Sequence, residues 1–269
     1  MDYQILVLDL DGTLTNSKKE ISDATYQALI DIQKAGKIIV LASGRPTYGV
    51  VPVAAHLKLN EYGGYILSFN GGRITDCRTD KLIFEETLPG SIAESLYNFV
   101  TKYPGLDLIT YTEDTILSGI CPNKYTELES FINHMPIIRL NDFARDIPAQ
   151  VNKFLITGEP SLVAEAQKEL MEHYGTKLNL YCSDPFFLEI MPPGRDKGTS
   201  LSHLLKCLNL TTSQAICCGD GYNDIPMIKA AGLVVEMENA QPAVKAAADY
   251  ITLSNDNDGI LHVINKFMN

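Results

Sequence analysis

The sequence predicts an α/β protein: a doubly wound parallel sheet with a second α/β segment inserted into it. Three observations carry this. Short apolar runs at Ile5–Leu8, Ile38–Ala42 and Ala215–Cys218 alternate with amphipathic helical stretches, the βαβ rhythm of a parallel sheet covered on both faces. Each run opens into a loop carrying acidic or small hydroxyl residues, and ligands in open α/β sheets collect at the carboxyl ends of strands. Between about Phe84 and Leu188 the rhythm gives way to helices mixed with alternating strand-like runs.

Taken in order, Met1-Asp2-Tyr3-Gln4 leads directly into the first strand. A helix from about Asp23 to Ala35 follows, with Ser22 as a hydroxyl acceptor for its first free N–H groups and Gly36 as its stop. The Ile38 run is the second strand, a helix precedes Asn60, and Tyr65 to Phe69 form a third strand. Alternation from Ile74 to Leu88 around Asp76 and Asp80 predicts a hairpin leaving the core. In the inserted segment, helical spacing at Ile92 to Tyr103, Tyr125 to His134 and Ser161 to Tyr174 mixes with strand-like runs at Leu106 to Tyr111, Ile116 to Ile120, Asn152 to Thr157 and Lys177 to Cys182. After Ile190 the first rhythm resumes. A helix from Lys197 carries Leu201, Leu204, Leu205 and Leu208 on one face, then come the Ala215 strand, a helix from Ile225 to Ala231, a strand at Leu233 to Val235 and a last strand near Tyr250 to Leu253. Residues 1–83 and 189–269 are thereby assigned to a core and 84–188 to an insertion.

The chain has 269 residues, 45% of them hydrophobic, which exceeds one typical domain of about 100 to 200 residues and suffices for two. A net charge of −11 argues against nucleic acid or an anionic membrane as partner, because both would repel it. An anionic ligand must then be drawn by a local positive patch, for which Lys197 and Arg45 are available. The six cysteines contain no Cys-x-x-Cys pair, and Cys217 and Cys218 sit in an apolar run as small packing residues. With no leader-like segment and no apolar stretch of about 18 residues, a cytoplasmic location is expected. The five histidines show no metal-ligand spacing.

The chemistry-bearing residues lie where strands end. In Asp9-Leu10-Asp11-Gly12-Thr13 the alternation of a strand lets Asp9 and Asp11 lean toward one pocket while Leu10 points into the core. Asp and Gly also make ordinary acidic turns, so the pentapeptide gains meaning from its context. Ser43 ends the Ile38 run ahead of Gly44-Arg45-Pro46; Lys197 opens a helix; and Gly219-Asp220-Gly221-Tyr222-Asn223-Asp224 follows the Ala215 run.

These four motifs, in this order and over nearly the whole length, resemble the haloacid dehalogenase superfamily, and within it the Cof-type sugar-phosphate phosphatases. Ser68-Phe69-Asn70-Gly71-Gly72, Glu189-Ile190 leading into Lys197-Gly198, and Met237-Glu238-Asn239-Ala240 resemble features of that subfamily. Two departures are mild: Ser-Phe-Asn stands before the first Gly of the Asn70 loop where many relatives carry an acid, and Glu238 stands where Gly is usual. The resemblance implies a Rossmann-like core with an inserted α/β cap that closes over the pocket, and a phosphate ester of a small metabolite as substrate, handled by a monomer or weak homodimer.

Elementary electrostatics points the same way. A carboxylate approaching a phosphate meets like charge, about 4 kcal/mol for two unit charges 4 Å apart at an effective dielectric near 20, so a cation is required. An all-oxygen set of carboxylates suits Mg²⁺, with Asp9 and Asp220 as natural ligands. The resemblance adds the carbonyl of Asp11, and Asp224 as an occasional ligand. It also assigns Asp9 as nucleophile and Asp11 as acid then base, an acid that dehalogenating relatives lack. Ser43, Lys197, Asn223, Asn70, Gly71, Gly44, Arg45 and the backbone of Leu10, Gly12 and Thr13 are expected around the phosphoryl group. A phosphomutase and a non-catalytic metabolite-binding protein remain open as alternatives.

Overall fold

The computed structural model describes residues 2–194, 196–228 and 230–268, and the chain divides into two compact units. The first comprises Met1–Gly44, Val50–Phe84 and Asp196–Asn269, the second Arg45–Gly49 and Glu85–Arg195.

In the first unit an eight-stranded sheet runs in the order Tyr250–Ile251, Leu233–Glu236, Ala215–Gly219, Ile5–Leu8, Ile38–Ala42, Tyr65–Ser68, Arg73–Asp76 and Lys81–Glu85. The first six strands are parallel, and Arg73–Asp76 turns antiparallel to Tyr65–Ser68. Ile5–Leu8 is the central strand and is buried on both faces: Leu6 and Leu8 pack with Leu29, Leu41 and Ile260, while Ile5 and Val7 pack with Val40, Leu201 and Leu204. Register decides what meets at its carboxyl end. Leu8 stands beside Cys218 on one neighbour and Leu41 on the other, so Asp9, Gly219 and Ala42 are level, with Asp220 and Ser43 one step beyond.

Two helices fix the surroundings. Asp23–Lys34 begins at Ser22, whose side chain accepts the Thr25 N–H, and stops at Gly36, where φ is +87°. Lys197–Cys207 begins at Asp196, which shares a reciprocal cap with Thr199 and so pins the first helical residue, Lys197.

The second unit is built on a six-stranded sheet in the order Asn179–Asp184, Phe187–Met191, Phe154–Thr157, Asp107–Tyr111, Ile116–Ser118 and Ile137–Arg139, antiparallel except for the last pair. Helices Ala93–Val100 and Pro160–Tyr174 cover one core containing Leu96, Leu108, Phe154, Leu170 and Leu188.

Three expectations need correction. The return to the core was placed at residue 189, but Glu189, Ile190 and Met191 finish the strand Phe187–Met191, paired on both sides, and the division falls at Asp196. Glu189, the one charge in that run, is buried against Lys153, 3.0 Å away. The outgoing boundary falls between Phe84 and Glu85, and residues 45–49 group with the second unit. A C-terminal helix, Gly259–Phe267, was not anticipated, although Ile260, Val263, Ile264 and Phe267 recur at helical spacing and the first three are buried.

Candidate active site

Asp9 leaves the central strand with its N–H bonded to the Cys218 carbonyl (3.1 Å), which ties it to the neighbouring strand. The chain then folds back sharply, Leu14 N–H reaching the Asp9 carbonyl at 3.2 Å and Thr15 N–H the Leu10 carbonyl at 2.9 Å. Gly12 allows this turn in two ways. Its φ is +86°, and a Cβ there would collide with the Asp220 carboxylate. Thr13 donates its hydroxyl to Asp220 Oδ1 (3.0 Å), and Asn239 donates its amide to the Gly12 carbonyl (2.8 Å), so both sides of the turn are held.

Lys197 is fully buried, and its Nζ lies 2.5 Å from Asp9 Oδ1 and 2.6 Å from Asp224 Oδ1. Burial alone would push its proton off. Asp224 and Asp9 outweigh that and hold the ammonium above its ordinary pKa, so it stays charged. The other oxygen of Asp224 accepts the N–H groups of Asp220 (3.1 Å) and Gly221 (3.0 Å), which orients the carboxylate and shapes the loop.

One lysine faces several acids. Burial raises the Asp9 carboxyl well above the ordinary range, and Asp224 and Asp220 add to the rise against the pull of Lys197. Burial and then Asp224 lift Asp220 to about 6. Burial, then Asp224, Asp220 and Asp9, lift Glu236 to about 8. Carboxyl oxygens of Asp9, Asp220 and Asp224 lie within 4.8 Å of one another. An all-oxygen cluster in which Asp9 and Asp220 are still pushed upward with the lysine in place is short of positive charge, and these residues therefore fit a hard divalent cation such as Mg²⁺.

A group whose folded pKa exceeds its unfolded value stabilises the fold at low pH and loses that contribution as pH rises through the folded value. Asp9, Asp220 and Glu236 all have this sign. The chelator-treated protein is expected to lose melting temperature as pH rises from about 5 to about 8, the slope shallower in Asp220→Asn. Scanning calorimetry in chelator across that range checks this, and a wild-type slope no steeper than the variant's would contradict it.

The remaining expected residues are placed as follows. Ser43 is buried, with its N–H on the Leu67 carbonyl (2.8 Å) and its carbonyl accepting the Asn70 N–H (2.9 Å). Asn70 is also buried, in the left-handed region at φ +50°; its side-chain oxygen accepts from Asn223 at 3.0 Å while its amide nitrogen has no partner among the described residues. Gly44 lies against that amide: a Cβ there would be 3.0 Å from Asn70 Nδ2. The Gly71 carbonyl accepts the Ser200 hydroxyl, which fastens the Asn70 loop to the Lys197 helix. Asp11, by contrast, pairs its carboxylate with the exposed Lys19 at 2.6 Å and is not among the three clustered acids. Arg45 belongs to the second unit, where it donates to the carbonyls of Gly49 and Ile132, each at 3.4 Å. Sequence reasoning did not single out Glu236, Lys19 or the bracing role of Asn239. For Glu236 a signal existed, since it is the one charge in the apolar strand Leu233–Glu236.

Among the described residues no helix is long and apolar enough to cross a membrane. The family model of haloacid dehalogenase-like hydrolases matches residues 6–264. A protein named as a phosphatase from Streptococcus pyogenes serotype M6 is 34% identical over 274 residues, covering 100% of this chain and 99% of its own. The 5-amino-6-(5-phospho-D-ribitylamino)uracil phosphatase of Bacillus subtilis is 27% identical, covering 100% and 97%. The crystal structure of a haloacid dehalogenase-like hydrolase from Bacteroides thetaiotaomicron is similar at a TM-score of 0.93 and 46% identity, covering 98% of this chain and 99% of that one. With an acid cluster and buried lysine at the carboxyl ends of a parallel sheet, and likeness along its whole length, the chain belongs to the haloacid dehalogenase-like hydrolases and is a phosphomonoesterase acting on small phosphate esters.

Proposed function

We propose that the protein is a Mg²⁺-dependent phosphatase of small phosphorylated metabolites, sugar and sugar-alcohol phosphates above all, working through an aspartyl-phosphate on Asp9. The observation that carries this is the pairing of Asp9 with the buried Lys197, 2.5 Å away, at the end of the central strand. A carboxylate held in one orientation by an ammonium is a positioned nucleophile. One Asp9 oxygen attacks phosphorus, the ester P–O bond breaks, and the leaving alkoxide takes a proton from Asp11. Water then attacks the same phosphorus and gives its proton to Asp11, and the bond to Asp9 breaks to release inorganic phosphate. Lys197, Ser43 and the N–H groups of the Leu10 to Gly12 turn offset charge on the equatorial oxygens. Asp9, Asp220 and the Asp11 carbonyl would hold Mg²⁺, with Asp224 behind them, and when bound it neutralises the phosphate dianion that Asp9 must approach. The substrate class draws support from the Bacillus subtilis relative, whose name specifies a phosphorylated ribityl compound.

The test is a panel of sugar, polyol and aryl phosphates with Mg²⁺, scored as kcat/KM for phosphate release. Sugar and polyol phosphates are expected to lead, chelator to abolish turnover, Mg²⁺ to restore it and Ca²⁺ to do so poorly, because its larger and looser shell misplaces the ligands. Full activity in chelator, or isomeric sugar phosphates in place of free phosphate, would refute the reading.

The Asp11 role has its own check. Asp11→Asn is expected to lower kcat by about 10² to 10⁴, the span of general acid catalysis, with a smaller loss for aryl phosphates, whose leaving groups need less protonation. Equal losses on both substrate types would remove the acid role.

A further inference from the structure

Glu236 ends the strand Leu233–Glu236, and it is a fully buried carboxyl with no hydrogen-bond partner on either oxygen among the described residues. A buried acceptor left unsatisfied costs stability, and a carboxyl costs more than a neutral group, so its presence at the end of an apolar strand calls for a compensating partner. Strand register tells where it points. Glu236 is the direct neighbour of Gly219 on the adjacent parallel strand, so the two share a face. That face is the one Asp224 occupies: a Cβ on Gly219 would lie 2.6 Å from Asp224 Cβ and 2.7 Å from its carboxyl carbon. Glu236 and Asp224 are thus on the same face of the sheet, either side of a glycine that puts no side chain between them. The charged groups acting on Glu236 are Asp224, Asp220 and Asp9, with Lys197 as the opposing cation. Lys197 is already committed to two carboxylates at 2.5 and 2.6 Å.

We propose that Glu236 is a fourth carboxylate of the cation centre, a positioning residue behind Asp220 and Asp224 that sets how tightly the centre holds a divalent cation. It rests on the reading of Asp9, Asp220 and Asp224 as that centre. Its oxygens are not part of the cluster that lies within 4.8 Å, so it acts through the field it adds rather than as a ligand. The unsatisfied carboxyl is then explained by what the strand faces when the centre is loaded: a divalent cation supplies the positive charge that one lysine cannot. A neutral residue of the same length would pack this strand at less cost and hold the cation less firmly.

The experiment is isothermal titration of the chelator-stripped full chain with Mg²⁺ and with Mn²⁺, alongside melting temperatures in chelator. Glu236→Gln keeps the shape without the charge, Glu236→Met keeps the length without polarity, and Glu236→Asp keeps the charge. The first two are expected to melt in chelator no lower than wild type and to bind Mg²⁺ about 10- to 100-fold more weakly, the usual cost of losing a group that supports a metal site. Glu236→Asp is expected to stay within about threefold of wild type. A wild-type Kd in either folded neutral variant overturns the proposal, and so does failure of both to fold, which would make the carboxyl a structural element. Asp220→Asn separates the two readings. If it abolishes Mg²⁺ binding while the Glu236 variants bind normally, the cation centre stands and only Glu236 loses its role; if wild type binds no divalent cation, both fall together.

Discussion

Asp9→Asn is expected to remove phosphate release, by about 10⁶-fold, the scale seen when a nucleophile that forms a covalent intermediate is lost. The amide has nearly the shape of the carboxylate but no oxygen basic enough to attack phosphorus. The fold should survive. The N–H of residue 9 still reaches the Cys218 carbonyl, Lys197 keeps Asp224 at 2.6 Å, and one of the mutually repelling acids becomes neutral. The variant is therefore expected to melt in chelator at or above the wild-type temperature while turnover falls to background. Intact-mass measurement on acid-quenched mixtures supplies the second arm: wild type should carry a phosphoryl adduct and the variant none. An adduct that persists in Asp9→Asn would move the covalent step to another carboxylate.

What the sequence made legible, and what it hid, divides along physical lines. Asp9, Asp11 and Gly12 could be read because the turn needs contiguous residues: two acids at alternate positions after an apolar run, then a glycine whose φ of +86° and lack of a Cβ the bend demands. Asp220 and Asp224 were legible for the same reason, since the loop that Asp224 braces through two N–H groups spans only a few residues. The pairing of Lys197 with Asp9 joins positions 188 apart, and nothing local in either segment specifies it. Buried charge is the general blind spot. A carboxyl in an apolar run reads as the solvent-facing end of an element, and only a distant partner makes it interior. The strand through Glu189 is not among the predicted elements, and the partner that buries its charge, Lys153, lies 36 residues away; Glu236 drew no attention because the acids acting on it belong to other strands and loops. The helix Gly259–Phe267 was a failure of a different kind, for its apolar spacing was present and only its tertiary contacts with Leu6 and Leu29 were not.

Lys197→Met is expected to cost both activity and stability, and the stability loss is the more diagnostic. Removing one partner of a buried ion pair leaves an uncompensated charge and typically costs about 3 to 5 kcal/mol, a large share of the roughly 5 to 15 kcal/mol by which domains are stable. Here one ammonium serves two buried carboxylates, Asp9 and Asp224. The loss should depend on pH in a definite direction. Burial already raises the Asp9 carboxyl with Lys197 in place, and without the ammonium's opposing pull it rises further. A raised carboxyl is tolerated while protonated, so the variant's deficit should be small near pH 5 and grow toward pH 8. Adding Asp224→Asn removes one of the two stranded charges and is expected to recover part of the stability while leaving the enzyme inactive, since Asp9, the proposed nucleophile, still lacks the ammonium that orients it. Denaturant unfolding of the single and double variants in chelator at pH 5 and pH 8 measures all of this. A Lys197→Met protein as stable as wild type at pH 8 would mean that the two carboxylates are neutralised by something other than this lysine.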